Sequence, residues 1–574
     1  MTLWLEDYGH WGFPSEFLLY GSQSNQVGGE FWVIGVADNV ECRAASSCGH
    51  IYGKKDIYAE SFTSAHNFKY NPGSLKKWCD WLYGVGVNHL ILHVYIHQPD
   101  EKKPGIIQWF GTSFNRHNTW FEQSKGFIDY TRRSSVLLKA GLPVIDVAYY
   151  IGENAPMMTG PRDPALPDGY DFDYVNSDVL INRMSVVDGK IVVKDGPGYS
   201  VLVLPKQKVM RPEVAAAIKR LVADGATIIG PKPVKSPSLQ NYPVCDEKVA
   251  GIANEVWKDV DGKAVKKGKF GKGSVYDGVG LEDVLGAKGV EPDVKVVSDS
   301  KVLCAAAGAG KIGIGGRGGI VFHHRALDDT EVYFLANTSG KAVDFTASLR
   351  TVGRKPCFWD AVTGQITEAA AFSQAGGRTL IPLQMDASES VFVVFSGKIS
   401  DTAKGPAGSN QPEYDVLKTL DGAWQVSFKG QGAPGNTEFD TLTDWTENAN
   451  EAIKYYAGTS VYEKNFTFKM PEQLKPVVLE LGEVAIAATV FVNGKEAGIV
   501  WCTPWQIDIT DFVVDGKNDL QIHVVNTWNN RLIADSKLPE NQRKAYVSQP
   551  YRFKKSDPLI KGGLLGPVRV KQVK

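Results

Sequence analysis

The apolar pattern of this chain changes near residue 306, and this change limits the possible folds more than any other feature. Before that point, short apolar runs alternate with segments whose apolar residues recur at helical spacing. After it, short strands follow one another with only glycine-rich turns between them. The first pattern is typical of parallel α/β sheets, and the second is typical of antiparallel β domains. The 574 residues are therefore predicted to form several domains, α/β first and β afterwards.

The clearest strand–helix–strand signal lies between residues 199 and 230. The apolar run Ser200–Leu204 precedes a helical segment that opens at Pro212 and stops at Gly225, and the run Ala226–Ile229 follows. This pattern predicts a doubly wound, flavodoxin-like α/β domain over residues 155–305. The segment has no GxGxxG after a strand, so we predict no dinucleotide site.

A second α/β repeat occupies the front of the chain. The predicted strands are Gly29–Ile34, Ile57–Phe62 and His89–Tyr95. Between the last two, the stretch Pro72–Tyr83 carries apolar residues at helical spacing, with Ser74 as the expected N-cap. Residues 1–154 are therefore predicted to form one α/β region.

Two β units are predicted to follow. Residues 306–400 have the short strands of a small β-sandwich, and residues 400–412 have the composition of a linker. Residues 413–574 include an Asn493-Gly494 hairpin signal and the strand Asp519–Asn526. We predict a jelly-roll sandwich there. Its tryptophans Trp501, Trp505 and Trp528 are expected to pack in the core.

Composition excludes several classes of partner. The net charge is −1 and no dense basic tract is present, so neither nucleic acid nor a membrane is expected as a partner. The start of the chain lacks the features of a signal peptide. We expect a periplasmic or extracellular location if a longer parent enzyme is exported, and a cytoplasmic one otherwise. The seven cysteines show no zinc pattern; Cys42 and Cys48 could pair, but free buried thiols are expected. The oligomeric state is not predictable from the sequence.

Several phrases resemble known glycosidases. The phrases "LDGAWQVSF", "ATVFVNGKEAGIVWCTPWQIDIT" and "LQIHVVNTWNNRLI" resemble the galactose-binding-like domain of family 2 type glycosidases. The phrases "FLLYGSQSNQVGGEFW", "YAESFTS", "HLILHVYIHQP", "LLKAGLPVIDVAYYIGENAP" and the closing "DPLIKGGLLGPVRV" resemble glycoside hydrolase family 106, the α-L-rhamnosidases. The middle phrase "DGYDFDYVNSDVL" matches the α/β insert of that family.

This resemblance implies a (β/α)₈-type catalytic barrel, an inverting mechanism, a carbohydrate substrate with terminal α-L-rhamnose, and calcium near the sugar. Such family members are longer than this chain, so we expect Met1 to fall inside the barrel. Residues 1–154 would then be a partial barrel, with the general acid on the missing amino-terminal side. The sequence has no EF-hand loop, and the calcium ligands remain unassigned.

Two glutamates are the predicted catalytic residues. Glycoside hydrolysis needs a pair of carboxyl groups, and barrel sites lie at the carboxyl ends of the strands. Glu30 and Glu60 lie on predicted strands among aromatic residues that would exclude water. The alternative is that each is an arginine-paired or edge-strand glutamate. The resemblance favours Glu60 as general base, with Glu30 holding water or sugar.

Other polar and aromatic residues near strand ends are candidate sugar contacts. HxYxH at 93–97 lacks the HExxH signature, so hydrogen bonding to hydroxyl groups is favoured over zinc. Loop tryptophans could stack on a sugar, and Glu153 could reach the site or cap a loop. The predicted substrate-binding residues are Glu6, Trp32, His93, His97, Gln98, Trp109, Asn118, Trp120 and Glu153.

Two alternatives to an α-L-rhamnosidase remain open at this point. The chain could be a catalytically inactive carbohydrate-binding remnant. It could also be another glycosidase, β-galactosidase-like, that shares the accessory domains.

Overall fold

The computed structural model describes residues 2–6, 15–33, 40–154, 156–157, 159–298, 302–307, 318–430, 433–471, 473–549 and 552–574. Ile34, the last residue of one predicted strand, lies outside these ranges. The described part folds into several sheets with few helices. Among the described helices, none has both the length and the apolarity that crossing a bilayer requires.

The front of the chain forms a four-stranded parallel sheet. Its strands lie side by side in chain order, and each step from one strand to the next passes through a helix where the chain is described. The elements are β1 (Trp4–Glu6), α1 (Phe17–Gly21), β2 (Gln26–Trp32), α2 (Val40–Tyr52), β3 (Ile57–Thr63), α3 (Pro72–Val85) and β4 (His89–Leu92). The predicted strands and helix at the front are thus present, with β4 shorter than expected.

Helix α3 shows how local sequence sets an element. Asn71, not Ser74, is the N-cap: its side chain accepts from the Ser74 backbone N–H at 3.1 Å, and the Ser74 hydroxyl accepts from the Asn71 N–H at 2.9 Å. Pro72 fills the first helical position, where no N–H donor is needed. Gly86 ends the helix at a φ of 101°, which glycine tolerates best. The N-cap therefore lies three residues before the predicted position.

The second α/β unit is a six-stranded sheet. Three elements precede it in the chain: β5 (Pro104–Gly105), α4 (Ser124–Leu138) and β6 (Leu142–Pro143). Its first strand is β7 (Val147–Tyr150). The rest of the unit is β8 (Phe172–Val175), α5 (Ser177–Asn182), β9 (Met184–Val187), β10 (Lys190–Val193), β11 (Gly198–Tyr199), β12 (Val201–Val203), α6 (Pro212–Asp224), β13 (Thr227–Ile229), α7 (Val244–Val256), β14 (Lys267–Phe270), β15 (Gly273–Tyr276) and α8 (Leu281–Ala287).

The strand order of this sheet is β14-β15-β13-β12-β7-β8, and only the edge strand β14 is antiparallel. When the five parallel strands are numbered by their position in the chain, their order across the sheet is 2-1-3-4-5. This is the flavodoxin-like doubly wound order. The sheet therefore agrees with the predicted doubly wound α/β unit. Its first strand, β7, lies ahead of residue 155, so the sheet begins within the region that we assigned to the front.

Two pairs of mainly antiparallel sheets follow. The first pair contains Val294–Val297, Cys304–Ala306, Ile320–Leu327, Thr330–Asn337, Val343–Leu349, Arg354–Trp359, Ile366–Glu368, Ser373–Ala375, Arg378–Met385 and Ser390–Lys398. The second pair contains Tyr414–Thr419, Trp424–Phe428, Asn436–Phe439, Thr459–Phe468, Val477–Glu480, Ala487–Val492, Lys495–Val500, Gln506–Asp508, Gly516–Val525 and Arg569–Val573. Each pair encloses its own hydrophobic core.

Short elements complete this part of the chain. They are the strands Glu483–Val484, Tyr546–Val547 and Leu564–Gly566, the α-helices Glu451–Lys454 and Asn529–Asp535, and the 3₁₀ helices Trp445–Glu447 and Glu540–Gln542. Asn493 and Gly494 form the predicted hairpin turn, both at positive φ. Trp501 is 2% exposed, as predicted for a core residue.

Buried polar contacts join the front unit to the sheets that follow it. The Lys76 ammonium on α3 lies 2.8 Å from Asp80 and donates to the Ser390 hydroxyl at 2.7 Å. The Tyr130 hydroxyl on α4 also donates to Asp80. Trp501, from the last unit, packs edge-on against Phe127 of α4. These contacts hold the front sheet, which carries the candidate site, against both β units.

All seven cysteines are free thiols, and six of them are buried. Cys42 and Cys48 are among the buried ones, so they form no disulfide, and the prediction of free buried thiols is confirmed.

Candidate active site

Three carboxylates meet on adjacent strands of the front sheet. Glu6 ends β1, Glu30 lies on β2, and Glu60 lies on β3 directly opposite Glu30 in the parallel register. One carboxylate oxygen from each residue lies within 4.8 Å of the other two. The structure therefore brings together both predicted catalytic residues and one predicted sugar contact.

Glu30 is the most enclosed of the three. It is 6% exposed, and its carboxylate accepts a hydrogen bond from the Trp32 indole N–H at 3.2 Å. The register between β2 and β3 shifts between Glu30 and Trp32. The extra residue belongs to β3, where Glu60–Thr63 opposes Glu30–Trp32, so the bulge turns Thr63 to the face of Glu60. Glu30 and Trp32 already share a face, because they are two residues apart on one strand.

Glu60 is held by two neighbours, and sequence reasoning identified only one of them. The Thr63 hydroxyl donates to Glu60 Oε1 at 2.9 Å, and His93 Nδ1 lies 3.4 Å from the same oxygen. Thr63 and His93 also contact each other at 3.0 Å. His93 follows β4, as predicted, whereas nothing in the sequence singled out Thr63.

Phe62, between Glu60 and Thr63, has a strained backbone. Its φ is 72°, in the left-handed region that a bulky side chain rarely adopts, and its side chain is fully buried. The Thr112 hydroxyl donates to its carbonyl at 2.9 Å. Strain of this kind persists only where surrounding contacts enforce it, and it concentrates at functional sites. Here it lies directly between the carboxylate and its hydroxyl partner.

The close spacing of the three carboxylates favours cation binding over the acid–base pair of an inverting glycosidase. Three carboxylates this close repel one another, so a bound cation or a shared proton would stabilise them. Carboxylate oxygens are the ligands that calcium prefers. An inverting glycosidase needs its acid and base roughly 6.5–9.5 Å apart, which is wider than the spacing of these three oxygens. The three carboxylates therefore cannot supply both members of an inverting pair among themselves.

Aromatic side chains border the cluster. Phe110 packs edge-on against Trp32, with ring centroids 4.9 Å apart. Phe110 and the neighbouring Trp109 are each nearly half exposed. Arg552, from the last unit, lies over the Trp109 ring with its guanidinium carbon 3.8 Å from the centroid. Trp32 therefore lies beside the cluster, and Trp109 adjoins its partner Phe110 in sequence; their roles as sugar contacts stay predictions. Phe110 and Arg552 are additions that the sequence did not indicate.

Three predicted sugar contacts have buried side chains that contact the protein itself. Gln98 exchanges two hydrogen bonds of 2.8 Å with the Ile106 backbone. The Asn118 amide donates to the Ser113 carbonyl. Trp120 is fully buried in the core. Their roles as sugar contacts stay predictions.

The last two predicted contacts are His97 and Glu153. His97 is exposed on the loop after β4, and its role stays a prediction. Glu153 follows β7 and accepts a 2.7 Å hydrogen bond from the Arg211 backbone N–H, beside the Arg211 side chain. It thereby stabilises the start of α6, which agrees with the loop-capping alternative. With Tyr150 and Gln207 it also lines a small cleft at the carboxyl end of the second sheet.

Comparison with known families now adds to this geometry. Residues 1–374, which include the whole carboxylate cluster, match the family model described as alpha-L-rhamnosidase of glycoside hydrolase family 106. Residues 438–557 match the model described as Glycosyl hydrolase 2 galactose-binding domain-like.

Two individual proteins are similar over most of the chain. A rhamnosidase structure from Novosphingobium sp. PP1Y has 30% sequence identity and a TM-score of 0.86, covering 97% of this chain and 52% of that one. A protein of Formosa agariphila, provisionally named a beta-glucuronidase, is 25% identical over 98% of this chain and 66% of its own length. The chain thus spans 66% and 52% of the lengths of these two relatives.

Proposed function

This chain belongs to glycoside hydrolase family 106, and from that premise we propose that it hydrolyses terminal α-L-rhamnosyl bonds of complex glycans with inversion of configuration. The observation that carries the proposal is the meeting of Glu6, Glu30 and Glu60 on adjacent parallel strands, inside the span that matches the family. Aromatic side chains and a histidine surround these carboxylates, as a sugar site requires.

We assign β1 to β4 to consecutive strands of a (β/α)₈-type barrel. The support is their parallel order in chain sequence, with helices between them. In such barrels the reacting groups lie at the carboxyl ends of the strands. Glu6 is the last residue of β1, Glu30 lies in the carboxyl-terminal half of β2, and Glu60 is the middle residue of β3.

Glu60 is our candidate for the general base that activates water. Its Oε1 is fixed by the Thr63 hydroxyl and lies beside His93, so the carboxylate is oriented before substrate binds. Glu30, with Trp32, is assigned to holding water or sugar. The general acid would stand on the opposite side of the sugar, beyond the spacing of this cluster.

Calcium is the cation that we expect near the sugar, and the donor set fits it. Glu6 and Glu30 would hold the ion through carboxylate oxygens, and a Glu60 oxygen lies within 4.8 Å of theirs. When bound, calcium would offset the repulsion among the three carboxylates and polarise sugar hydroxyl groups. If Glu60 is the base rather than a ligand, Glu6 and Glu30 would carry most of the calcium affinity.

The direct test is hydrolysis of an aryl α-L-rhamnoside by the full chain and by Glu60→Gln. General-base catalysis contributes roughly 10²–10⁴-fold, so we expect kcat to fall by that factor in the variant. Glu122→Gln is the matched control, because Glu122 is exposed on the same unit, and it should keep full activity. Equal activity of Glu60→Gln and the parent would refute the assignment.

The Formosa agariphila relative supplies a second candidate, a glycosidase that acts on β-glucuronides. A panel of aryl glycosides separates the two. Faster release from the β-glucuronide than from the α-L-rhamnoside would favour the second candidate.

A further inference from the structure

We propose that Arg552 and Trp109 form a second sugar subsite that binds an acidic neighbouring residue, a uronate, beside the rhamnosyl unit. This inference rests on the proposed function, since it extends the substrate beyond the bond that is cleaved. It specifies the sugar on the leaving-group side of the cleaved bond, which the carboxylate cluster alone does not indicate.

The first step is the position of the pair. Phe110 contacts Trp32, and the Trp32 indole donates to Glu30, so an unbroken path of contacts leads from the carboxylates to the loop that carries Trp109. Trp109 and Phe110 remain nearly half exposed at the end of this path. Large aromatic side chains exposed beside a reaction centre are typical of surfaces that contact ligands.

The second step is that the loop is fixed before ligand binds. Asn67 donates from its amide to the carbonyls of Gln108 and Gly111, both at 3.1 Å. On the other side, the Ile107 backbone N–H donates to the Ser548 hydroxyl at 3.1 Å. Contacts from two separate units thus hold the loop, which lowers the entropic cost of binding.

The third step concerns Arg552 itself. Its guanidinium lies over the Trp109 ring and donates one hydrogen bond of 3.2 Å to the Trp109 carbonyl. The side chain is exposed, and no carboxylate among the described residues forms an ion pair with it. A guanidinium has five N–H donors in a planar fork that matches a carboxylate. Stacking on the indole orders this fork and leaves N–H donors for an anion.

The fourth step is electrostatic. An acidic substrate that approaches Glu6, Glu30 and Glu60 is repelled by them. Arg552 offsets this repulsion, and exposed Lys554 and Lys555 follow it in sequence. A disaccharide is thereby oriented, with its rhamnosyl unit towards the carboxylates and its acidic unit towards Arg552.

The test compares an α-L-rhamnosyl-uronate disaccharide with its methyl ester, which lacks the negative charge and adds one methyl group. Binding is measured by calorimetry on the full chain carrying Glu60→Gln, and again after adding Arg552→Gln. We expect the acid to bind roughly tenfold more tightly than the ester, and Arg552→Gln to remove this preference, since a charge-assisted contact is partly screened at an exposed site. Arg132→Gln, the same charge change at an exposed helix position, should preserve the preference.

Two outcomes would overturn the subsite: equal binding of acid and ester by the parent, or an equal loss for both ligands in Arg552→Gln. The second would mean that Arg552 only positions the loop. Hydrolysis of the aryl α-L-rhamnoside, which has no uronate, is measured separately on the wild-type chain. Absence of that hydrolysis with an intact acid preference would refute the proposed function and not the subsite.

Discussion

At the scale of single residues, the site depends on side chains that orient one another. Glu60 is oriented by Thr63, and Thr63 is placed by the strained Phe62 and the bulge in β2–β3 pairing. The carboxylates themselves were predictable, because adjacent parallel strands place equivalent positions side by side. Thr63 was not, because no sequence pattern shows a bulge. The burial of Trp120 was not predictable either, because an indole in a loop sequence looks the same whether the loop covers it or exposes it.

Thr63→Val removes the hydroxyl and keeps the side-chain shape. A hydrogen bond to a charged group contributes about 1.5–3 kcal/mol, so kcat for the aryl α-L-rhamnoside should fall by about tenfold or more. The melting temperature should change little. Thr367→Val, at an exposed strand position, is the control. Unchanged kcat in Thr63→Val would mean that the hydroxyl does not orient the base.

The roles of Glu30 and Glu60 can be separated by calcium affinity. Glu30→Gln removes one charged ligand and should weaken calcium binding by at least tenfold in calorimetric titration, after chelator treatment. Glu60→Gln should retain most of the affinity while losing hydrolysis. If both variants lose calcium equally, Glu60 is a ligand and not the general base.

At the scale of elements, helix α3 supports the site through a buried ion pair. Lys76 and Asp80 lie one turn apart on this helix and are almost fully buried, and Ser390 completes their hydrogen bonds. The periodicity of α3 was readable from sequence, whereas its N-cap was placed three residues too late. The burial of the ion pair was not readable, because it arises only when a strand 310 residues later packs against the helix.

Lys76→Met should destabilise the protein strongly, because it leaves the Asp80 carboxylate buried without its cation. We expect the free energy of unfolding to fall by about 3–5 kcal/mol, read as a lower urea midpoint. Lys77→Met, at the partly exposed neighbouring position, should cost far less. Adding Asp80→Leu to Lys76→Met should restore part of the loss; no recovery would contradict the ion-pair explanation.

At the scale of the whole molecule, buried charges join the α/β unit to the first β unit. His324 lies between Asp293 and Glu331, with nitrogen–oxygen distances of 2.9 Å to each. Burial alone would lower its pKa, but the two carboxylates outweigh burial and raise the pKa of His324 to about 9. Its neighbour His323 has a pKa well below the usual range, because burial and nearby cations disfavour its charged form.

These two histidines predict how stability depends on pH. The contribution of His324 is complete below its unfolded pKa of about 6.5 and is lost as pH rises through about 9, a change of about 3 kcal/mol. His323 acts in the opposite sense, because its lowered pKa costs stability as pH falls below about 6.5. The combined contribution of these two histidines to stability should therefore be greatest near pH 6.5. In His324→Gln, the decrease in the urea midpoint between pH 6.5 and pH 9 should disappear; a decrease as large as in the parent would contradict this origin.

The order of the units was predictable from the change in apolar pattern. Alternating strands and helices form parallel α/β sheets, whereas strands joined by turns form antiparallel β domains. Contacts between units were not predictable. Arg552 and Trp109 are separated by 443 residues, and no periodicity connects positions so far apart.

The last unit contributes a short strand, Tyr546–Val547, which pairs in parallel with Pro104–Gly105 of the front unit and sets the segment that leads to Arg552. This strand pairing joins the last unit to the part of the front unit that leads to the loop beside the carboxylates. Recombination that exchanges this unit between related enzymes would change the surface around Trp109 and leave the three carboxylates in place. Substrate preference could then diversify by inheritance of a new carboxyl-terminal module, faster than by point changes among residues that must also fold the front sheet.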